Sequence, residues 1–215
     1  MYLSELNFPN LSDFMYWAGI AAVAVSAVSG TLEAGARRMD IVGVTVVGLA
    51  TALGGGTARD LLLSRPIFWV VDPSYLYTAF LGALVTFFVA RAVYLPARLF
   101  VIPDAIGLAL FTVVGAQVAL DMRVPWFVAV MMGVVTATFG GVVRDIFCNM
   151  IPLVFLPGYL YAAASFFGAV AYIVVQEVLG GGHVAAGWIG MGTAFGLRLL
   201  GMYLKVMLPA FRNRE

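Results

Sequence analysis

Seven apolar segments follow one another along this 215-residue chain, at about 14–32, 41–63, 75–95, 104–120, 126–150, 158–179 and 187–208. Short charged or proline-bearing connections separate them, such as Glu33–Asp40, Ser64–Ser74 and Pro96–Pro103. A transmembrane helix needs about 20 mainly apolar residues, and the segments match that length. Hydrophobic residues make up 63% of the chain and charged residues 11%, against roughly 45–50% and about 25% in soluble domains. Mean hydropathy is +1.01. A soluble 23.0 kDa protein has too little interior to bury that much apolar surface, so the solvent is lipid. Runs such as Ile20–Val28 are continuously apolar and lack the alternation of membrane strands. The expectation is an all-α membrane protein of seven transmembrane helices, one domain over residues 1–215.

Composition also excludes classes of function. A net charge of +1 argues against a nucleic-acid partner. The single cysteine, Cys148, excludes an internal disulfide and a multi-cysteine metal cluster. No Walker motif, Ser-His-Asp set or metal-ligand cluster is readable, so neither an enzyme nor a cofactor or metal is expected. The first 13 residues hold Glu5 and Asp13 but no Lys or Arg, unlike the basic start of a cleavable signal peptide.

The chain aligns with itself at an offset of 85. Gly30 falls on Gly115, Arg38 on Arg123, Gly48 on Gly133 and Thr51 on Thr136. Gly55-Gly56 falls on Gly140-Gly141, and Arg59-Asp60 on Arg144-Asp145. With one inserted residue, Tyr75 then falls on Tyr161 and Gly82 on Gly168. The first three segments (about 14–95) therefore repeat as the next three (about 104–179), and the segment at about 187–208 is extra. Three spans per copy is an odd number, so the copies run oppositely through the bilayer. Inverted repeats of this kind form transport pathways at their interface, near the midplane.

Lys and Arg counts give the expected orientation. One face holds Arg59, Arg65 and Arg123; the other holds Arg37, Arg38, Arg91, Arg98, Arg144, Lys205, Arg212 and Arg214. The richer face is cytoplasmic, which puts the N-terminus outside and the C-terminus inside a prokaryotic inner membrane.

Gly54-Gly55-Gly56-Thr57-Ala58-Arg59-Asp60, late in the second segment, is the densest cluster of unusual residues. Each glycine costs a helix roughly 1 kcal/mol relative to alanine. Two readings stand: a broken pathway helix, or close helix packing through small residues. After a break, Thr57 and Asp60 fit a capping box for a new half-helix. In the second copy Val142 replaces the threonine and Phe139 the first glycine. Phe139 either narrows a passage or makes ordinary core or lipid contact. Charges in hydrocarbon pair or face water, and adjacent helix residues do not face each other, so the partners of Arg59, Asp60, Arg144 and Asp145 are expected on other helices. Ser26, Ser29 and Glu33 share a face of the first segment and Thr112 and Gln117 lie in the fourth, which is read as lacking a carboxylate. Ser26, Ser29, Thr51 and Thr136 either line the pathway or pack against neighbours. Arg198, inside the last segment, pairs internally or snorkels; His183 is read as a solvated loop residue.

These residues resemble the prokaryotic branch of the trimeric intracellular cation channel family, whose members are also described as having a glycine-transporter-type domain. The likeness covers essentially the whole chain and rests on the seven spans, the inverted repeat, and Gly-Gly-Gly-x-x-Arg-Asp echoed by Gly-Gly-x-x-Arg-Asp. It implies a homotrimer with a pore in each protomer, lined by second and fifth helices kinked at Gly54, Gly55, Gly56, Gly140 and Gly141. It implies passive conduction of monovalent cations, chiefly K⁺. The alternative is a secondary transporter of a small solute such as glycine.

Overall fold

The computed structural model describes residues 13–93, 99–156 and 160–204. Glu5, Arg98, Lys205, Arg212 and Arg214, and the parts of the third, sixth and seventh segments at 94–95, 158–159 and 205–208, lie outside the described residues. Among the described residues, seven helices are long and apolar enough to cross a membrane: α1 (Asp13–Ala36), α2 (Ile41–Leu62), α4 (Pro73–Ala92), α5 (Val101–Asp121), α6 (Trp126–Phe147), α7 (Tyr161–Ile173, continued by a π-turn over Val174–Val178) and α8 (His183–Leu204). A short α3 (Phe68–Val71) bridges α2 and α4, and a 3-10 turn (Leu153–Phe155) takes the same place before α7.

Local chemistry sets several of these boundaries. Asp40 caps α2, its carboxylate accepting from the Gly43 amide at 2.8 Å. Asp72 caps α4, accepting from Ser74 at 2.9 Å, with Pro73 in the first turn. α2 and α6 end alike. Ser64 and Asn149, an offset of 85 apart, both take a left-handed conformation (φ 52° and 54°). Their amides bond back to Leu61 and Ile146, and the next amides to Asp60 and Asp145, the double bond of a Schellman motif. Arg38 and Arg123 repeat the left-handed turn after α1 and α5.

Packing repeats as well. α1 contacts α2 and α4 as α5 contacts α6 and α7, and α2 contacts α4 as α6 contacts α7. The copies meet where α2 crosses α6 and α1 lies on α5. α8 packs mainly on α7 and α5 and meets Phe14 of α1 at Gly187 and Trp188; α5 is the most buried long helix and α4 the most exposed. The fold is thus a three-plus-three inverted repeat with an added helix. α8 begins at His183, four residues before the expected start, so this exposed histidine opens a helix instead of lying in a loop.

Candidate functional site

The centre of the repeat interface is an antiparallel crossing of α2 and α6. A Cβ on Gly55 would overlap the Thr136 carbonyl oxygen, and one on Gly140 the Thr51 carbonyl oxygen. The pairing of residue 55 with 136 and 51 with 140 is antiparallel and falls near the middle of both helices. Gly54 faces Gly140, with 3.7 Å from its would-be Cβ to the Gly140 Cα. Only glycine permits this backbone approach. Thr51 and Thr136 are buried, and their hydroxyls donate to Val47 and Met132 at 2.6 Å each.

The expected break is corrected here. α2 runs uninterrupted from Ile41 to Leu62 and α6 from Trp126 to Phe147. Thr57 does not cap a half-helix: its hydroxyl donates to the Leu53 carbonyl at 2.7 Å and accepts from Trp69 Nε1 at 2.9 Å. The glycines give up helix propensity, but the close packing they allow between α2 and α6 holds both helices intact. Phe139, 43% exposed, borders a surface groove with Leu49, Leu53, Gly54 and Trp69.

About six residues beyond the crossing on each helix, roughly 9 Å along the axis, lies an Arg-Asp pair. Contrary to expectation, Arg59 pairs with its own neighbour; Arg144 does so too but, as expected, also reaches a carboxylate on another helix, Asp104 of α5. Arg59 Nε donates to Asp60 Oδ1 at 2.8 Å, and Arg144 Nε to Asp145 Oδ1 at 2.8 Å. The facing rule applies to short side chains in mid-helix; here the long arginine reaches its neighbour's carboxylate in the last turn. The other carboxylate oxygens accept backbone amides eight residues on, from Phe68 at 2.8 Å and Leu153 at 2.9 Å. Each aspartate thereby ties a helix end to the loop that follows. All four residues are buried.

The second copy adds a carboxylate that the sequence reading missed. Asp104, in the first turn of α5, is buried and accepts from Arg144 Nη1 at 2.6 Å and from the Tyr161 hydroxyl at 3.0 Å. Its second oxygen faces Arg198 Nη2 at 3.4 Å. An acid directly after Pro103 at the head of an apolar helix was the available signal. Arg198 is fully buried with its guanidinium 4.5 Å from the centre of the Tyr161 ring, so it pairs internally. Arg144 Nη1 also donates to Ser29 at 3.0 Å, and Ser29 donates to the Phe100 carbonyl at 3.2 Å. Ser26 instead packs against Gly107 of α5. In the first copy, Arg65 reaches Asp60 at 3.4 Å.

Near the second cluster, Glu33 is buried and pairs with Arg37 at 3.5 Å. Cys148, just past α6, is buried beside Ala34, Val44 and Val47, and burial pushes its thiol up to about 11. Among the described residues no group of three or more His, Cys, Asp or Glu side chains is placed to hold a metal ion.

Comparison with known proteins finds the same architecture. The family model described as Glycine transporter matches twice, over residues 16–91 and 101–177. The inner membrane protein YadS (UPF0126) of Escherichia coli is 36% identical over 203 residues, covering 94% of this chain and 98% of its own. The membrane protein YvgT of Bacillus subtilis is 32% identical, covering 89% and 90%. Among solved structures, the TRIC trimeric intracellular cation channel orthologue from Rhodobacter sphaeroides superposes with a TM-score of 0.85 at 34% identity, over 91% of this chain and 100% of that one. A second TRIC cation channel gives 0.81 at 32% identity, over 93% and 98%. With its full-length likeness to these membrane proteins and its twice-matched family model, the chain belongs to the prokaryotic TRIC family.

Proposed function

We propose that the protein is a passive monovalent-cation channel, chiefly for K⁺, assembled as a homotrimer with a pathway in each protomer. The observation that carries this reading is the symmetric α2–α6 crossing near mid-helix, in a chain whose structural neighbours are TRIC cation channels. The pathway runs along that crossing. Gly54, Gly55, Gly56, Thr57, Phe139, Gly140 and Gly141 flank its centre, Arg59-Asp60 and Arg144-Asp145 stand to either side, and Ser26, Ser29, Thr51 and Thr136 support it. With α2 and α6 in backbone contact, this arrangement is closed at its centre. Conduction follows when the helices kink or part at their glycines. The N-terminus is outside and the C-terminus cytoplasmic, and the chain is not an enzyme. No loop in the sequence supplies a ladder of carbonyls like that of strongly selective K⁺ channels, so discrimination between K⁺ and Na⁺ is weak.

Secondary transport of glycine is the competing reading, favoured by the description of the matching family model. Purified protein in planar bilayers, run beside a liposomal glycine-uptake assay, separates the two. Discrete unitary K⁺ currents are expected. Saturable glycine uptake without currents would replace the channel with a transporter.

A further inference from the structure

The two Arg-Asp clusters differ at one repeat position. In the second copy Asp104 gathers Arg144 from α6, Tyr161 from α7 and Arg198 from α8 around one carboxylate. The corresponding residue of the first copy, at the offset of 85, is Gly19. A Cβ on Gly19 would lie 3.1 Å from the Tyr75 hydroxyl oxygen. So α1 presents bare backbone to Tyr75 where α5 presents a carboxylate to Tyr161. A cavity of about 30 Å³ lies at this place, lined by Gly19, Arg59, Arg65, Phe68 and Tyr75, with an apolar wall from α5.

Two polar groups in the cavity wall are set up as their second-copy counterparts are. Arg59 binds Asp60 Oδ1 through Nε and Nη2, as Arg144 binds Asp145 through Nε. Arg144 extends its remaining edge to Asp104; among the described residues, the hydrogen bonds of Arg59 all go to Asp60. Tyr75 is only 8% exposed, and its hydroxyl makes no hydrogen bond to a described residue. Buried tyrosine hydroxyls ordinarily find a partner, and the partner of the equivalent Tyr161 is a carboxylate.

The geometry points to a binding site for one small monovalent anion, chloride or a carboxylate group, held among Gly19, Arg59 and Tyr75 where the second copy holds the Asp104 carboxylate. The Arg59 guanidinium and the Tyr75 hydroxyl donate to it, and Arg65 adds positive charge at the wall. The Asp60 carboxylate, on the far side of Arg59, is already bound by that arginine, by Arg65 and by the Phe68 amide. Bound there, the anion ties α1, α2 and α4 together as Asp104 ties α5, α6 and α7. The site goes beyond the channel reading and does not depend on it.

The test is the thermal unfolding midpoint of the purified full-length protein in potassium gluconate, titrated at constant ionic strength with potassium chloride, potassium formate or glycine. Chloride or formate is expected to raise the midpoint saturably, while gluconate, too large for the cavity, does not. A rise with glycine but not with the free anions assigns the carboxylate to an amino-acid solute. Tyr75→Phe removes a hydroxyl that no described residue uses and is expected to weaken the apparent affinity roughly tenfold. Tyr161→Phe, in the second copy, keeps the wild-type response. Gly19→Asp supplies the carboxylate from the chain and abolishes the response. If that variant does not fold, the comparison of Tyr75→Phe with Tyr161→Phe decides alone. Equal midpoints in all four solutes, or wild-type anion affinity in Tyr75→Phe, overturns the site.

Discussion

Replacing Asp104 by asparagine keeps the shape of the side chain and removes its charge. Arg144 and Arg198, both fully buried, then share a neutral partner. Removing one member of a buried ion pair costs about 3–5 kcal/mol, so Asp104→Asn is expected to lower the unfolding midpoint and trimer yield sharply. The equivalent position of the first copy is glycine, so the penalty is particular to the second copy. Near-wild-type stability would mean that Arg144 and Arg198 are carried by Asp145 and by the Phe100 and Tyr161 rings beneath them. Cys148 offers a milder check. Burial raises its thiol above the ordinary range and shields it from reagents. Maleimide labelling of the folded protein at pH 7 is expected to be far slower than that of the unfolded chain, and to speed up as pH rises toward 11.

The crossing of α2 and α6 turns five similar glycines into different experiments. Alanine gains about 1 kcal/mol of helix propensity over glycine, while overpacking a tight contact costs about 1–3 kcal/mol. At Gly54 an added Cβ meets nothing nearer than 3.7 Å, so Gly54→Ala is expected to fold as well as wild type or better. At Gly55 and Gly140 the same methyl group enters a carbonyl oxygen of the facing helix; those variants are expected to lose stability or to force α2 and α6 apart. Gly56→Ala and Gly141→Ala press on the Phe68 ring and the Tyr161 hydroxyl, and disturb the Arg-Asp clusters instead of the crossing. Unfolding midpoints and open probabilities for the single variants check this order. Equal behaviour of Gly54→Ala and Gly55→Ala would contradict it.

For the molecule as a whole, the two Arg-Asp pairs lie on opposite sides of the crossing because the repeats are inverted. If they flank an ion pathway, Asp60→Asn and Asp145→Asn reduce cation flux. The effect is greatest at low salt, since the Debye length is about 30 Å at 0.01 M and about 8 Å at 0.15 M. If the aspartates only staple helix ends to the Phe68 and Leu153 loops, the same substitutions lower stability and trimer yield, and the surviving protein conducts as before. Cysteine substitutions at 60 and 145 on a Cys148→Ser background report accessibility, each from its own side of the membrane. Terminal reporter fusions in a bacterial inner membrane are expected to place the N-terminus outside; a cytoplasmic N-terminus would reverse the assignment of faces.

Seven spans and their inverted repetition were legible in the residues alone. Apolar run length follows from bilayer thickness, and the offset of 85 preserves the positions that must be small at the crossing, such as Gly55 and Gly140, or that end helices, such as Arg38 and Arg123. The contacts of those positions were not legible. Helix propensity reads Gly54-Gly55-Gly56 as a weak point, but Gly54 and Gly55 face Gly140 and the Thr136 carbonyl of α6, a helix far away in sequence, and α2 runs unbroken through that contact. Facing rules sent Arg59 and Arg144 to other helices; Arg144 does reach Asp104 on α5, but both arginines also fold onto their own neighbours in the last turns of α2 and α6. Asp104 and Arg198 stand 94 residues apart, and nothing local to either indicates the other. Their meeting depends on α8 packing against α5 and α7, an arrangement that burial selects across the whole bundle and that no window of sequence contains.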